Sequence, residues 1–168
     1  MKIQLAQLSE GKHSLDFKWD SKEIGLKEPF QNEVDVHIAL EKFEYKAVLK
    51  IEASNVAMFC CDRCLKEFSK KIEIVFSLII NNGEGDSYQD FEMNEIVISH
   101  WSQAVDISKD LCEYFELAIP QKILCDDDCA GLCYSCGKNL NELPGFKCDC
   151  ENNQIDPRWN ELKKISGN

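Results

Sequence analysis

No stretch of this 168-residue chain strings together the ~18 apolar residues that a membrane-spanning helix needs. The N-terminus lacks a continuous apolar signal region too, because Met1-Lys2-Ile3-Gln4-Leu5 alternates apolar with polar residues. A cytoplasmic protein is the expectation. Basic charge is also short. Nineteen Lys and Arg stand against thirty Asp and Glu, a formal net charge of −11. That balance argues against a simple nucleic-acid binder, which shows a basic footprint. Histidine is scarce and scattered, at His13, His37 and His100, with His37 on the solvent side of its strand pattern. Neither histidine nor carboxylate offers the arrangement of a catalytic zinc site with an open position. What remains suffices for a packed core: 44% of residues are apolar, and the length suits one domain with a small satellite.

Cysteine is abundant. Ten cysteines in a reducing compartment are not a disulfide framework, and their spacing points to metal. Six fall between Cys125 and Cys150. Cys133-x-x-Cys136-Gly137 reads as a zinc knuckle, whose backbone amides turn toward the two sulfurs. A tetrahedral shell needs a second pair, and two are at hand: Cys125/Cys129 upstream and Cys148/Cys150 downstream. Cys61-Asp62-Arg63-Cys64 has knuckle spacing at an expected hairpin tip. It fits a second metal site sharing ligands with the tail, a redox pair, or two reduced thiols. A thioredoxin-type pair would want a helix N-terminus in a βαβ unit, and the context here is a β-hairpin. Cys60, in register with Met58, is expected to pack, and Cys112 to be a small core residue. The eight others make two four-sulfur shells, or one shell with four spare thiols. The expected cofactor is structural zinc, one or two ions, holding a tail too small to own a core.

Period-two alternation predicts strands, each with one buried face. It runs through Ile3 and Leu5, Leu15 and Phe17, Val34 to Leu40, Tyr45 to Ile51, Val56 to Cys60, and Ile72 to Ile80. The short break from Glu41 to Glu44 predicts a hairpin. Residues 81–95 read as a loop, with a short strand at Ile96, Val97 and Ile98. Asp106 is the expected N-cap of an amphipathic helix burying Ile107, Leu111, Tyr114, Phe115 and Ala118, stopped by Pro120. Asp156-Pro157-Arg158-Trp159 opens a short terminal helix, with Trp159, Leu162 and Ile165 on one face. The predicted fold class is α+β: an antiparallel sheet or open barrel with its closing helix over 1–120, and a cysteine-rich zinc-binding tail with a terminal helix over 121–168.

Several stretches together resemble the bacterial YceD family, the large ribosomal RNA subunit accumulation proteins. They are Asp106-Ile107, Leu117-Ala118-Ile119-Pro120, Leu124-Cys125, Asp128-Cys129-Ala130-Gly131-Leu132-Cys133, Cys136-Gly137-Lys138-Asn139-Leu140-Asn141, Cys148-Asp149-Cys150 and Asp156-Pro157-Arg158, with the Cys61/Cys64 pair before the long strand. The resemblance covers most of the chain. It implies a non-enzymatic role in synthesis, processing or stability of 23S ribosomal RNA in the large subunit, and no catalytic residue. Residues 81–128 hold twelve acidic and two basic residues, Lys109 and Lys122, so the expected partner is basic: a ribosomal protein or an rRNA-processing factor. Two alternatives stand beside this. One is a zinc-knuckle RNA-binding protein using Arg63, Lys66, Lys70 and Lys71, with Arg158, Lys163 and Lys164 as a second cluster. The other is a thiol redox protein using Cys61/Cys64.

Overall fold

The computed structural model describes residues 2–82, 94–98, 100–148, 150 and 158. It separates into two compact units: Met1–Cys60 with Glu67–Ile123, and Cys61–Lys66 with Leu124–Asn168.

The first unit is α+β. Its strands are β1 (Lys2–Ile3), β2 (Gly11–Asp20), β3 (Phe30–Lys42), β4 (Lys46–Cys60), β5 (Glu67–Asn81), β6 (Asn94–Val97) and β7 (Val105–Asp106). Among the described residues, two helices accompany them, α1 (Ser21–Ile24) and α2 (Ser108–Leu117). The main sheet is open, in the order β2-β3-β4-β5-β6, and β1 pairs with β7 in a separate ribbon. Pairing from β2 to β5 is antiparallel. The strand expected around residues 96–98 spans Asn94–Val97 and runs parallel to β5. Residues 83–93 of the expected loop, and the terminal helix apart from Arg158, lie outside the described residues.

The sheet forms where the alternation is cleanest. Val34, Val36, Ile38 and Leu40 of β3 are buried together with Ala47, Leu49 and Ile51 of β4 and Ile72 to Ile80 of β5. Side chains two apart share a sheet face, so these strands line one continuous apolar surface. Helix α2 covers it. Ile107, Leu111 and Phe115 are fully buried, Phe115 meets Phe30 edge-on at 5.3 Å, and Tyr114 stacks on Phe76 at 4.2 Å.

Three local expectations are corrected. Val56, Met58 and Cys60 lie on the solvent face, and Ala57 and Phe59 are buried instead. Cys60 is therefore an exposed thiol, not a packing residue. Tyr45 sits in the turn between β3 and β4 and is exposed. The cap of α2 is Ile107, without a side-chain cap bond. Asp106 closes β7, and its carboxylate accepts the Ser108 N–H at 3.0 Å. That bond holds the Asp106 carboxyl well below the usual range. Cys112 does pack against the core, and its thiol donates to the Ile24 carbonyl at 3.0 Å.

The register of β3 on β4 shifts between Gln31 and Asp35, where Asn32 has a φ of 60°. Buried Asn55 bridges this bulge. Its amide donates to the Gln31 and Glu33 carbonyls at 2.8 and 3.0 Å and accepts from Gln31 N–H at 3.3 Å. Asn55→Ala leaves those backbone groups without partners, at a cost of about 1–3 kcal/mol. Urea denaturation reads it as a lowered midpoint, and an unchanged midpoint would contradict the clamp.

Candidate metal centres

Within the second unit, two tight turns carry the CxxC pairs, and they make the same backbone bonds. In Cys61–Lys66, Cys61 N–H donates to the Lys66 carbonyl and Leu65 N–H to the Cys61 carbonyl, both at 2.9 Å. In Cys133–Lys138, Cys133 N–H donates to the Lys138 carbonyl and Gly137 N–H to the Cys133 carbonyl, both at 2.8 Å. The residue after the second cysteine is left-handed in both, at φ 58° for Leu65 and 71° for Gly137. This is the knuckle geometry, and the shared pattern is Cys-x-x-Cys-x-Lys.

Each knuckle meets a different second pair. Cys61, Cys64, Cys125 and Cys129 converge, and so do Cys133, Cys136, Cys148 and Cys150, with all four sulfurs of each group within 4.8 Å of one another. Cys61 and Cys129 sulfurs are 3.8 Å apart, and Cys64 and Cys125 3.5 Å. Cys133–Cys150 and Cys136–Cys148 are each 3.3 Å. A tetrahedron built on metal–sulfur bonds of ~2.3 Å has edges of about 3.8 Å, and these separations lie at or just under that edge. None is a disulfide, and none of the ten cysteines is disulfide-bonded. Each tetrad could hold one metal ion. The pairing sends Cys125/Cys129 to the hairpin tip and leaves Cys148/Cys150 for the central knuckle.

The sulfurs are held unequally. At Cys61 burial pushes the thiol up, but backbone N–H groups of Cys125, Cys64 and Arg63 outweigh it and bring it down to about 6. At Cys133 the N–H groups of Cys136 and Ser135 act likewise, again to about 6. Crowding has the opposite effect on their neighbours. Cys125 is pushed up to about 12 by the Cys64 sulfur and by burial, and Cys150 to about 12 by the sulfurs of Cys148 and Cys133. Four thiolates so close repel one another, and a dication among them removes that penalty.

The first tetrad is the better enclosed. Cys61, Cys64 and Cys129 are buried, whereas in the second only Cys133 is. The turn residue Arg63 anchors the enclosure. Its guanidinium donates to the Cys129 carbonyl at 2.7 Å, and its own carbonyl accepts Leu132 N–H at 3.1 Å. Gly131, at φ 79°, lies so close that an added Cβ would stand 3.1 Å from the Arg63 carbonyl oxygen. Only glycine suits that backbone angle and that approach. Arg63 is thus bonded within the cysteine unit, where sequence reasoning offered it to RNA. Of the other candidate cations, Lys66 is exposed in the same turn, while Lys70 and Lys71 lie on β5, with Lys71 paired to Glu73 at 2.6 Å. Lys163 and Lys164 lie outside the described residues.

Asn141 was not singled out as a site residue. Its amide donates to the Cys129 sulfur at 3.3 Å and its oxygen accepts Ala130 N–H at 2.8 Å. An asparagine twelve residues after the cysteine it touches gives no spacing signal.

The family described as large ribosomal RNA subunit accumulation protein YceD matches residues 49–166. The chain belongs to the YceD family. The matched span holds both knuckles and all eight clustered cysteines. Among curated proteins, an uncharacterized protein of Mycobacterium tuberculosis is 26% identical over 110 residues, 64% of this chain and 49% of the relative. A Mycobacterium bovis protein gives the same figures. The large ribosomal RNA subunit accumulation protein YCED homolog 1, chloroplastic, of Arabidopsis thaliana is 26% identical over 163 residues, 82% of this chain and 48% of the relative. This YceD-family chain spans about half the length of the curated relatives it matches. No solved structure matches it. Among its described residues, no helix is long and apolar enough to cross a membrane.

Proposed function

We propose that the protein is a non-enzymatic, cytoplasmic factor in large ribosomal subunit biogenesis that supports the synthesis, processing or stability of 23S ribosomal RNA. Family membership over residues 49–166 is the observation that carries this reading. In it, both tetrads hold zinc as structural ions. Four sulfurs with tetrahedral reach and no oxygen or imidazole among them are the donor set of closed zinc sites, which leave no position for substrate.

The direct partner is a basic protein, a ribosomal protein or an rRNA-processing factor. Asp126, Asp127 and Asp128 are exposed between two ligands of the first tetrad, and Glu113 and Glu116 are exposed on α2. Four thiolates around one dication leave about two further negative charges at each centre. Each of these acidic groups attracts a polycation and is screened by salt. They shield the partner until RNA displaces them.

Depletion of the protein in its host tests this. The expected result is a fall in mature 23S relative to 16S RNA, restored by the native chain and not by the variant with Asp126, Asp127 and Asp128 all changed to Lys. An unchanged ratio on depletion would reject the role. Full rescue by the triple variant, or a bound partner insensitive to salt, would reject the acidic mechanism.

A further inference from the structure

The two knuckles are joined by a short ribbon whose hydrogen bonds run from one tetrad to the other. The Cys133–Lys138 turn is the tip of that ribbon. Below it, Leu132 and Asn139 form an antiparallel bridge, and Leu140 N–H donates to the Gly131 carbonyl at 2.9 Å. At the base stands Asn141, and every polar group of its side chain is used. The oxygen accepts Ala130 N–H, while the amide donates to the Cys129 sulfur at 3.3 Å and to the Asn139 side-chain oxygen at 2.7 Å. That same Asn139 oxygen accepts Asn141 backbone N–H at 3.1 Å. Asn141 is thereby oriented by the return strand of the second knuckle, and it delivers its donor to a sulfur of the first tetrad.

An N–H aimed at a thiolate stabilises its charge and orients it toward the metal. Outer partners of this kind are worth roughly 10–100-fold in metal affinity. Asn141 is placed to donate only while residues 131–140 keep their paired form. The second tetrad fixes the tip of that pairing, because Cys133 and Cys136 open it and close on Cys148 and Cys150.

We propose that Asn141 is a positioning residue that couples the two metal centres: closing Cys133/Cys136/Cys148/Cys150 on an ion seats the Asn141 amide on the Cys129 sulfur and tightens the grip of Cys61/Cys64/Cys125/Cys129 on its own. The inference rests on the reading of both tetrads as zinc sites. The second centre, with more exposed ligands, sets the affinity of the enclosed one. Ion binding at either then favours binding at the other, as linkage requires.

The test is zinc competition against a colorimetric chelator, on the full chain, for the affinity of the first centre. Four proteins are compared: native, Cys136→Ser with Cys148→Ser, Asn141→Asp, and all three changes together. Asn141→Asp keeps an acceptor for Ala130 N–H but has no N–H for sulfur. Breaking the second centre is expected to weaken the first about tenfold, and Asn141→Asp about as much. The combined variant should be no more than about twofold weaker than either. Two ions per chain with first-centre affinity unchanged in Asn141→Asp would overturn the coupling and leave the zinc reading standing. So would losses that simply multiply in the combined variant. A native chain that takes up no zinc would overturn both.

Discussion

Removing metal from the intact chain with a chelator is expected to unfold the cysteine-rich unit and leave the sheet folded. The reason lies in what each unit buries. In the first, Leu5, Val34, Ile38, Leu40, Leu49, Ile51, Leu78, Ile80 and Phe115 all belong to one apolar cluster at 2% exposure or less. In the second, the buried described residues are Cys61, Cys64, Cys129, Cys133 and Gly131, four cysteines and a glycine. So little apolar burial among the described residues cannot offset the roughly 1–2 kcal/mol per residue lost in ordering their backbone. Structural zinc supplies about 10–16 kcal/mol in comparable modules. Chelation should therefore abolish amide protection across residues 124–148 and open that stretch to proteolysis, while protection in β3, β4 and β5 persists. Equal protection before and after chelation would show that the unit folds without metal. Loss of the sheet alongside it would contradict the independence of the sheet's core.

Phe115→Ala is expected to destabilise the sheet unit by about 3–5 kcal/mol. Phe115 is fully buried and packs its ring on Phe30, so truncation removes both transfer energy and an aromatic contact and leaves a cavity under α2. With domain stabilities of about 5–15 kcal/mol, that is a large share. Thermal or urea unfolding of the purified variant measures it. Zinc content should not change, because none of the eight clustered cysteines belongs to the unit of Phe115. A loss below about 1 kcal/mol would mean that α2 does not seal the core. Loss of bound metal along with stability would contradict the separation of the two roles.

The sheet was legible because β3 and β5 present apolar residues at every second position against polar neighbours. The error in β4 has a specific cause. Its buried row runs from Ala47 through Leu49, Ile51, Ala53, Asn55 and Ala57 to Phe59, and polar Asn55 breaks the pattern midway. Beyond it, Val56, Met58 and Cys60 are as apolar as Ala57 and Phe59, so composition cannot choose between the faces. Asn55 keeps the alternation of β4 and is held inside by its bonds to the β3 bulge, which is a tertiary fact. The parallel pairing of β6 was hidden for a similar reason, since a four-residue strand carries no mark of its partner's direction. Helix α2 was legible in its buried stripe but not at its start, where Asp106 looks like a cap and is the end of a strand.

At the cysteines, spacing marked the knuckles but not their partners. Cys133/Cys136 has a candidate pair on each side, and distance along the chain does not decide between them. The choice depends on the folding of the cysteine-rich unit, where Cys125 and Cys129 converge with Cys61 and Cys64. The recurrence of Cys-x-x-Cys-x-Lys at Cys61–Lys66 and Cys133–Lys138 was a readable sign that these two turns play equivalent parts, each needing its own second pair.

The decisive measurement is the metal content of the chain, purified without added metal and read by elemental analysis with thiol titration. Two zinc ions per chain are expected, with eight thiols masked until the metal is removed and Cys60 and Cys112 the two that are not ligands. A chain free of metal, with the thiols of Cys61 and Cys64 reacting at once, would contradict this expectation.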